Sequence, residues 1–520
     1  MNKYVWNTHP SGLACHQALP PSLSMLFLAA ATVTNLILTP SALAGIPRAS
    51  TPLYSRSYLD VCQQIESTVS NASDVYFPGQ VHYAQGIKHY MVTNTQLSAC
   101  VVEPGTAEDV GKILTIIGST RTPFAVKGGG HGSNPGSSST EGVQITMTRF
   151  SEVTYDADAQ TATIGTGLVW DDVYETLVPQ GVNVVGGRVT GVGVAGFTLG
   201  GGYSWLTNQH GLTVDNVVSF ELVKPDGSVV TVTDSSDADL FWALKGGMNN
   251  YVGHRHEIYS QDVPSRSSLG GLLTYTAGKL DDVAAATAKF AAEVTDPKAA
   301  LITTANFVLG QPGVSQLLFY DGPNPPAGIF DDFLAIPSFT KDVDTRDFVS
   351  LVQAPPSDIQ ANQRGIFNVV PVANLSVNVI NALFNESKFW GERLQLKSGS
   401  FISYDIEPFL PSILSHNTSP SSWPPTREKT YYPQNIYFSW TAELADDVFF
   451  DAARQSAAQV TRVALQDGQE GVDTAAPYPN YAIFDTPLEL LYGDNLPRMR
   501  EVKGRVDPDN VMSLAGGFKI

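Results

Sequence analysis

The sequence predicts an α+β protein built from more than one folding unit, and three observations carry that expectation. Residues 100–147 alternate strand, helix and strand signals. The composition, with 45 Gly and 33 Pro against only 31 Lys and Arg, suits a turn-rich strand architecture. From about Leu269 the texture changes to longer apolar runs, aromatic residues and proline-rich loops, which opens a second domain.

Taken in order, residues 22–38 are mainly apolar but too short for a secure membrane span, and Ser41-Ala-Leu-Ala44 has the small residues of a cleavage site. Residues 1–44 are therefore expected to leave as a signal peptide, although Lys3 is the only Lys or Arg ahead of the apolar run and Met25 is an alternative initiator. Cys15 would leave with them, and Cys62 and Cys100 remain as one disulfide candidate. The sequons at Asn71, Asn374, Asn385 and Asn417 permit glycosylation on the same secretory route. A cytosolic protein with two buried free thiols is the alternative.

Thr106 is placed to cap a helix whose stripe is Val110, Ile113, Leu114 and Ile117. Strands follow at 143–147 and 161–164, and a helix at 170–177. Strands 217–223 and 229–232 flank the turn Pro225-Asp-Gly227, and a short helix is expected at 237–244. In the second unit 434–440 reads as a strand and 442–464 as a helix.

Between the first helix and strand 143–147 lies PFAVKGGGHGSNPGSSS, residues 123–139. An apolar strand leads through Lys127 to Gly128, Gly129 and Gly130, then His131, Gly132 and Ser133. Successive glycines let backbone N–H groups approach an anionic ligand, and one imidazole emerges from that bare backbone. A flexible loop with an incidental histidine is the bland alternative. The segment Gly191-Val-Gly-Val-Ala-Gly196 spells the dinucleotide fingerprint, but Gly200, Gly201 and Gly202 fall where its helix should run. Each glycine there costs about 1 kcal/mol relative to Ala. The segment, with Val192, Gly193 and Gly196, therefore reads as a second glycine-lined wall.

Seven segments together resemble the berberine-bridge-enzyme-like branch of the vanillyl-alcohol-oxidase-type flavoproteins. They are KGGGH (127–131), GVGVAGFTLGGGYS (191–204), HGLTVDNV (210–217), DLFWALKGG (239–247), YPNY (478–481), LYGDN (491–495) and VDPDNV (506–511), in the family's order over roughly residues 60–520. The resemblance implies a PCMH-type FAD-binding domain in two parts and a substrate domain with an antiparallel sheet and helices. Its expected divisions are residues 45–93, 94–265, 266–475 and 476–520 after the signal. It implies FAD bonded through His131, cradled by the glycines already named and by Asn480. Where many relatives carry a second, cysteine link, this chain has Val189, so a single link is expected. The side chain three positions later, Val192, matches a position that gates dioxygen.

In such enzymes flavin N5 accepts a hydride while a protein base removes a proton from the adjoining O–H or N–H. Tyr478 and Tyr481 are the candidates. With YPNY read as a strand, Tyr478 shares a face with Asn480 and is preferred. A free phenol has a pKa of about 10, so a nearby cation or the flavin would have to tune it. Both rings could equally be core aromatics. Relatives continue past the Lys-Gly-Gly turn as an apolar strand, whereas residues 252–256 read Val-Gly-His-Arg-His and are expected to break it. His254 and His256 lack companions for a metal site.

The formal charge of −19 argues against nucleic acid and anionic lipid as partners. A small-molecule substrate remains: an alcohol, a sugar or a secondary-metabolite intermediate, with dioxygen as electron acceptor. A carbohydrate-binding protein and an inactive flavin fold are the competing readings.

Overall fold

A computed structural model describes residues 56–251, 255–259, 268–356 and 360–520, with backbone alone at 56–57 and 255–259. The expected signal peptide and residues 252–254 lie outside the described residues. The fold is α+β, with three sheets among the described residues.

The first sheet has four strands in the order Asp74–Tyr76, Cys100–Glu103, Val143–Thr146, Phe124–Lys127. The last three are mutually parallel, which requires a crossover. The helix Ala107–Thr120 supplies it: Thr106 accepts a hydrogen bond from the Asp109 N–H at 3.2 Å, and the expected apolar stripe is buried. Cys62, on the helix Arg56–Thr68, is disulfide-bonded to Cys100 on the second strand, and both are fully buried. The bond closes a loop across 38 positions. Replacing both cysteines by serine is expected to cost ~3–4 kcal/mol of unfolding free energy in the chain-entropy account. A denaturant melt measures it, and an unchanged midpoint would mean that the purified protein carries no such bond.

The second sheet is antiparallel, in the order Val153–Asp156, Thr161–Gly165, Arg255–Tyr259, Val217–Val223, Val229–Val232. Of the Val-Gly-His-Arg-His stretch, Arg255 and His256 open its middle strand, and the other three residues lie outside the described residues. Arg255–Tyr259 pairs on both sides, with Thr161–Gly165 and with Val217–Val223. Backbone ladders tolerate charged residues in a strand, because pairing uses only main-chain groups.

The third sheet has seven antiparallel strands: Thr340–Arg346, Ser268–Thr276, Gln311–Tyr320, Ala299–Val308, Gly399–Ile406, Tyr432–Trp440 and Arg364–Val372. Strand alternation divides its side chains between two cores. Leu301, Leu318, Ile402 and Ile436 share one with the helices Leu280–Glu293, Val377–Leu394 and Asp446–Gln466. Ile302, Phe319 and Val369 point the other way and share a core with Trp170, Trp205 and Tyr478. That second face carries Phe367, Asp405 and, just past its strand, Glu407 toward the glycine walls. The expected helix at 442–464 begins instead at Asp446, after a 3₁₀ turn at Glu443–Ala445. Asn71, Asn374 and Asn385 are exposed and Asn417 is half-buried.

Candidate active site

Strand Phe124–Lys127 delivers the chain into the glycine run, and the two glycine walls meet there. A Cβ on Gly129 would lie 2.5 Å from the Gly193 Cα, and one on Gly193 would lie 2.6 Å from the Gly129 nitrogen. These two glycines let segments more than sixty positions apart pack backbone to backbone. Part of the bareness expected to serve a ligand serves this packing instead. Open space remains beside Gly196, where a Cβ would meet nothing within 4 Å, and beside Gly132, where the nearest atom is 3.4 Å away. Gly128 is closed by the Thr166 carbonyl, and Gly130 takes a φ of +73°. Lys127 does not point into the space: its ammonium donates to the carbonyls of Gln85 and Lys88 at 3.1 and 2.9 Å. It braces the loop from behind, and burial lowers its pKa to about 8.

His131 lies flat on Tyr90, with ring centroids 4.1 Å apart, and 6.4 Å from Phe367. Its Nε2 is buried and has no hydrogen-bond partner. Burial lowers the imidazole pKa to about 4, so the ring is neutral at physiological pH. Two neighbours tie the loop to the rest of the site. Ser133 Oγ accepts from the Phe367 N–H at 3.0 Å, and Asn134 Nδ2 donates to the Ala482 carbonyl at 2.9 Å.

The second wall runs from Gly193 into the short helix Val194–Leu199, which stops at Gly200. Gly201 and Gly202 then take φ of +117° and +83°. A Cβ on Gly200 would lie 2.2 Å from Asn480 Oδ1, and one on Gly201 would press on Trp423 and Tyr478. Val189 and Val192 are half-buried, and a Cβ on the neighbouring Gly191 would lie 3.8 Å from the His131 ring.

YPNY is a turn rather than a strand: the Tyr481 and Ala482 N–H groups both donate to the Tyr478 carbonyl. Pro479 and Asn480 favour a turn, and the alternation argument separating the two tyrosines does not apply. Their rings meet edge to face at 4.9 Å. Tyr478 Oη accepts from the Gly202 N–H at 3.2 Å and from Asn480 Nδ2 at 2.8 Å. Tyr481 Oη donates to Glu407 Oε1 at 3.1 Å and accepts from Arg188 Nη2 at 3.0 Å. Phe367 bridges the two halves of the site, 6.1 Å from Tyr481.

Arg188 and Glu407 were not singled out from the sequence. They form an ion pair at 2.6 Å, with 7% and 1% of their side chains exposed. Burial raises the Glu407 pKa to about 7 against the pull of Arg188, and Asp405 adds to the rise. Burial works against the Arg188 charge, but Glu407 and Tyr481 more than restore it. Burial pushes Tyr478 up to about 12 and raises Tyr481 well above the ordinary phenol value, with Glu407 adding to its shift. One signal was present in the sequence: Asp405 and Glu407 sit two apart in FISYDIEP, two acids on one face of a strand end.

The geometry thus offers a neutral imidazole with an unpartnered nitrogen, bare backbone beside it, and a tyrosine pair backed by a buried ion pair. Residues 98–233 match the model of the FAD binding domain, and residues 477–515 match the model described as berberine and berberine-like. The chain thus carries an FAD binding domain and a berberine-like C-terminal segment, as berberine-bridge-enzyme-like FAD-linked oxidoreductases do. An uncharacterized FAD-linked oxidoreductase of Arthroderma benhamiae is 29% identical over 92% of this chain and 98% of its own length. The FAD-dependent monooxygenase drtC of Aspergillus calidoustus is 28% identical over 88% of this chain and 89% of its own. The fold superposes on the glucooligosaccharide oxidase of Acremonium strictum, described with a 6-S-cysteinyl, 8α-N1-histidyl FAD. The TM-score is 0.69 and the identity 17%, over 87% of this chain and 97% of that one. The protein is an FAD-dependent oxidoreductase. Among the described residues no helix is long and apolar enough to cross a membrane, and no three His, Cys, Asp or Glu gather as metal ligands.

Proposed function

We propose that this protein is a secreted FAD-linked oxidase that converts a small alcohol, sugar or secondary-metabolite hydroxyl to the carbonyl. Residues 94–265 and 476–520 would hold FAD, linked once through His131, and 266–475 would supply the substrate face. The observation that carries this reading is the neutral His131 ring, its Nε2 unpartnered, one aromatic ring away from Tyr481. Buried polar groups without partners are rare and call for a ligand. The bound flavin supplies a hydride-accepting ring whose electrons dioxygen can take up, giving hydrogen peroxide. The protein's own part is to hold the substrate O–H against the Tyr478–Tyr481 pair, between that turn and the Phe367 face of the seven-stranded sheet. The intact pairing of Arg255–Tyr259 weighs against an inactive fold. The buried Cys62–Cys100 pair supports the secretory route.

Val192 supports dioxygen as acceptor. It sits next to Gly191, which approaches His131, and its carbonyl is fixed by the Trp170 N–H at 2.9 Å. Interiors are packed tightly enough that one methylene is felt. The test is anaerobic bleaching of the flavin band by alcohols, followed by admission of air, for wild type and Val192→Leu. Bleaching should be alike in both. Reoxidation should slow by roughly tenfold or more in the variant, about 1.4 kcal/mol in barrier. A wild-type protein without flavin absorbance would overturn the function, and equal reoxidation rates would overturn the gate.

A further inference from the structure

We propose that Asp171 is a positioning residue for the flavin: its carboxylate locks the second glycine wall against His131 and holds a fixed negative charge there that lowers the reduction potential of the cofactor. The inference goes beyond the substrate and acceptor proposed above. It rests only on FAD bound at His131, whether or not the link is covalent.

The wall is tied as a short ladder to the start of the helix Trp170–Leu177. The Val194 N–H donates to the Leu168 carbonyl at 3.0 Å, Val169 bridges Gly193, and the Trp170 N–H donates to the Val192 carbonyl at 2.9 Å. At the next rung the helix has begun, and its backbone carbonyls point along the helix axis instead of across to the wall. The Asp171 side chain takes their place. Its Oδ2 accepts from the Gly191 N–H at 2.8 Å, and its Oδ1 accepts from the Thr190 hydroxyl at 2.5 Å. Gly191 takes a φ of +82°, and a Cβ on it would lie 3.8 Å from the His131 ring. The clamp therefore fixes the two residues that carry the wall from Val189 to His131.

Asp171 and Asp172 are neighbours in sequence but not in role. Asp172 is exposed and turns back to accept from the Val169 N–H at 3.4 Å, on its own helix. Asp171 is buried against the wall, with 9% of its surface exposed. Among the described residues no cation forms an ion pair with it, and both of its hydrogen-bond donors are neutral. Those donors and the first turn of the helix, where negative charge is favoured, accommodate the carboxylate. Its field reaches the imidazole, raising the His131 pKa against the lowering by burial. Charges in a poorly screened interior interact over several ångström. Reduction brings further negative charge to a flavin held at His131, and the fixed carboxylate opposes it.

The test equilibrates holoenzyme with a reference dye during slow anaerobic photoreduction, for wild type, Asp171→Asn, Asp171→Ser and Thr190→Val. The two Asp171 variants remove the charge, and either one, once folded, decides the question. Thr190→Val removes one tie of the clamp and keeps the charge. Each Asp171 variant should favour the reduced flavin by roughly tenfold or more, a rise of about 30 mV for two electrons. Thr190→Val should move the same equilibrium by less than about threefold, or about 15 mV. An unchanged potential in a folded Asp171 variant overturns the proposal. An equal rise in Thr190→Val also overturns it, because wall geometry would then account for the shift without the charge. Acid precipitation of the same samples reports the link separately. Flavin lost to the supernatant from wild type refutes attachment through His131 and leaves the measurement of potential standing.

Discussion

His131→Ala protein is expected to release all of its flavin into the supernatant on acid precipitation, whereas wild-type protein keeps a yellow pellet. The wild-type flavin should map to the peptide spanning the KGGGHG run. Two features make the expected loss complete. A nucleophilic imidazole must be unprotonated, and burial lowers the pKa of His131 to about 4, leaving the ring neutral throughout the working range. The half-buried Val189 offers no sulfur for a second link, so nothing else on this wall can retain the cofactor. Stacking on Tyr90 and the Ser133 and Asn134 ties fix the ring without using its Nε2. Alanine at 131 removes the ring and leaves those ties in place, so the variant should fold and bind FAD noncovalently. Wild-type protein that yields colourless pellets would refute covalent attachment while leaving the FAD fold intact.

Much of this site was legible because its chemistry is written into contiguous residues. Thr106 and its apolar stripe announced the crossover helix, and the glycine triplets announced both walls, since only glycine permits such backbone approach. What the glycines approach was not legible. Gly129 and Gly193 contact each other, and Gly200 admits the Asn480 side chain, relations fixed by tertiary packing alone. Periodicity failed at YPNY, where four residues can read as a strand although Pro and Asn favour a turn. Arg188 and Glu407 are 219 positions apart, and no local pattern joins them. A buried ion pair of this kind becomes visible only when the seven-stranded sheet is laid against the second glycine wall. Lys127 erred in the opposite direction: its place beside the glycines suggested a ligand contact, but the strand geometry turns its ammonium to carbonyls behind the loop.

With YPNY a turn, strand alternation no longer prefers Tyr478, and the hydrogen bonds of the two phenols distinguish them instead. Tyr481→Phe should slow flavin reduction by roughly 10²–10⁴, the usual scale for losing a proton-transfer group, with little change in substrate affinity. Phenylalanine keeps the ring contacts with Tyr478 and Phe367 and leaves the Arg188–Glu407 pair to satisfy itself, so the defect should fall on rate. Tyr478→Phe should act differently. Its oxygen accepts from the Gly202 N–H and from Asn480 Nδ2; Asn480 keeps its bond to the Phe197 carbonyl, but removal of the hydroxyl strands the buried Gly202 amide. An unsatisfied buried donor costs ~1–3 kcal/mol, so this variant should melt earlier and hold flavin less firmly while its bound flavin still reduces. Rapid mixing of alcohol with each variant under anaerobic conditions separates rate from affinity, and a thermal melt reads the stability arm. If Tyr478→Phe instead loses the greater part of the reduction rate and Tyr481→Phe little, the proton leaves through Tyr478. The Arg188–Glu407 pair would then serve only to anchor the turn against the sheet.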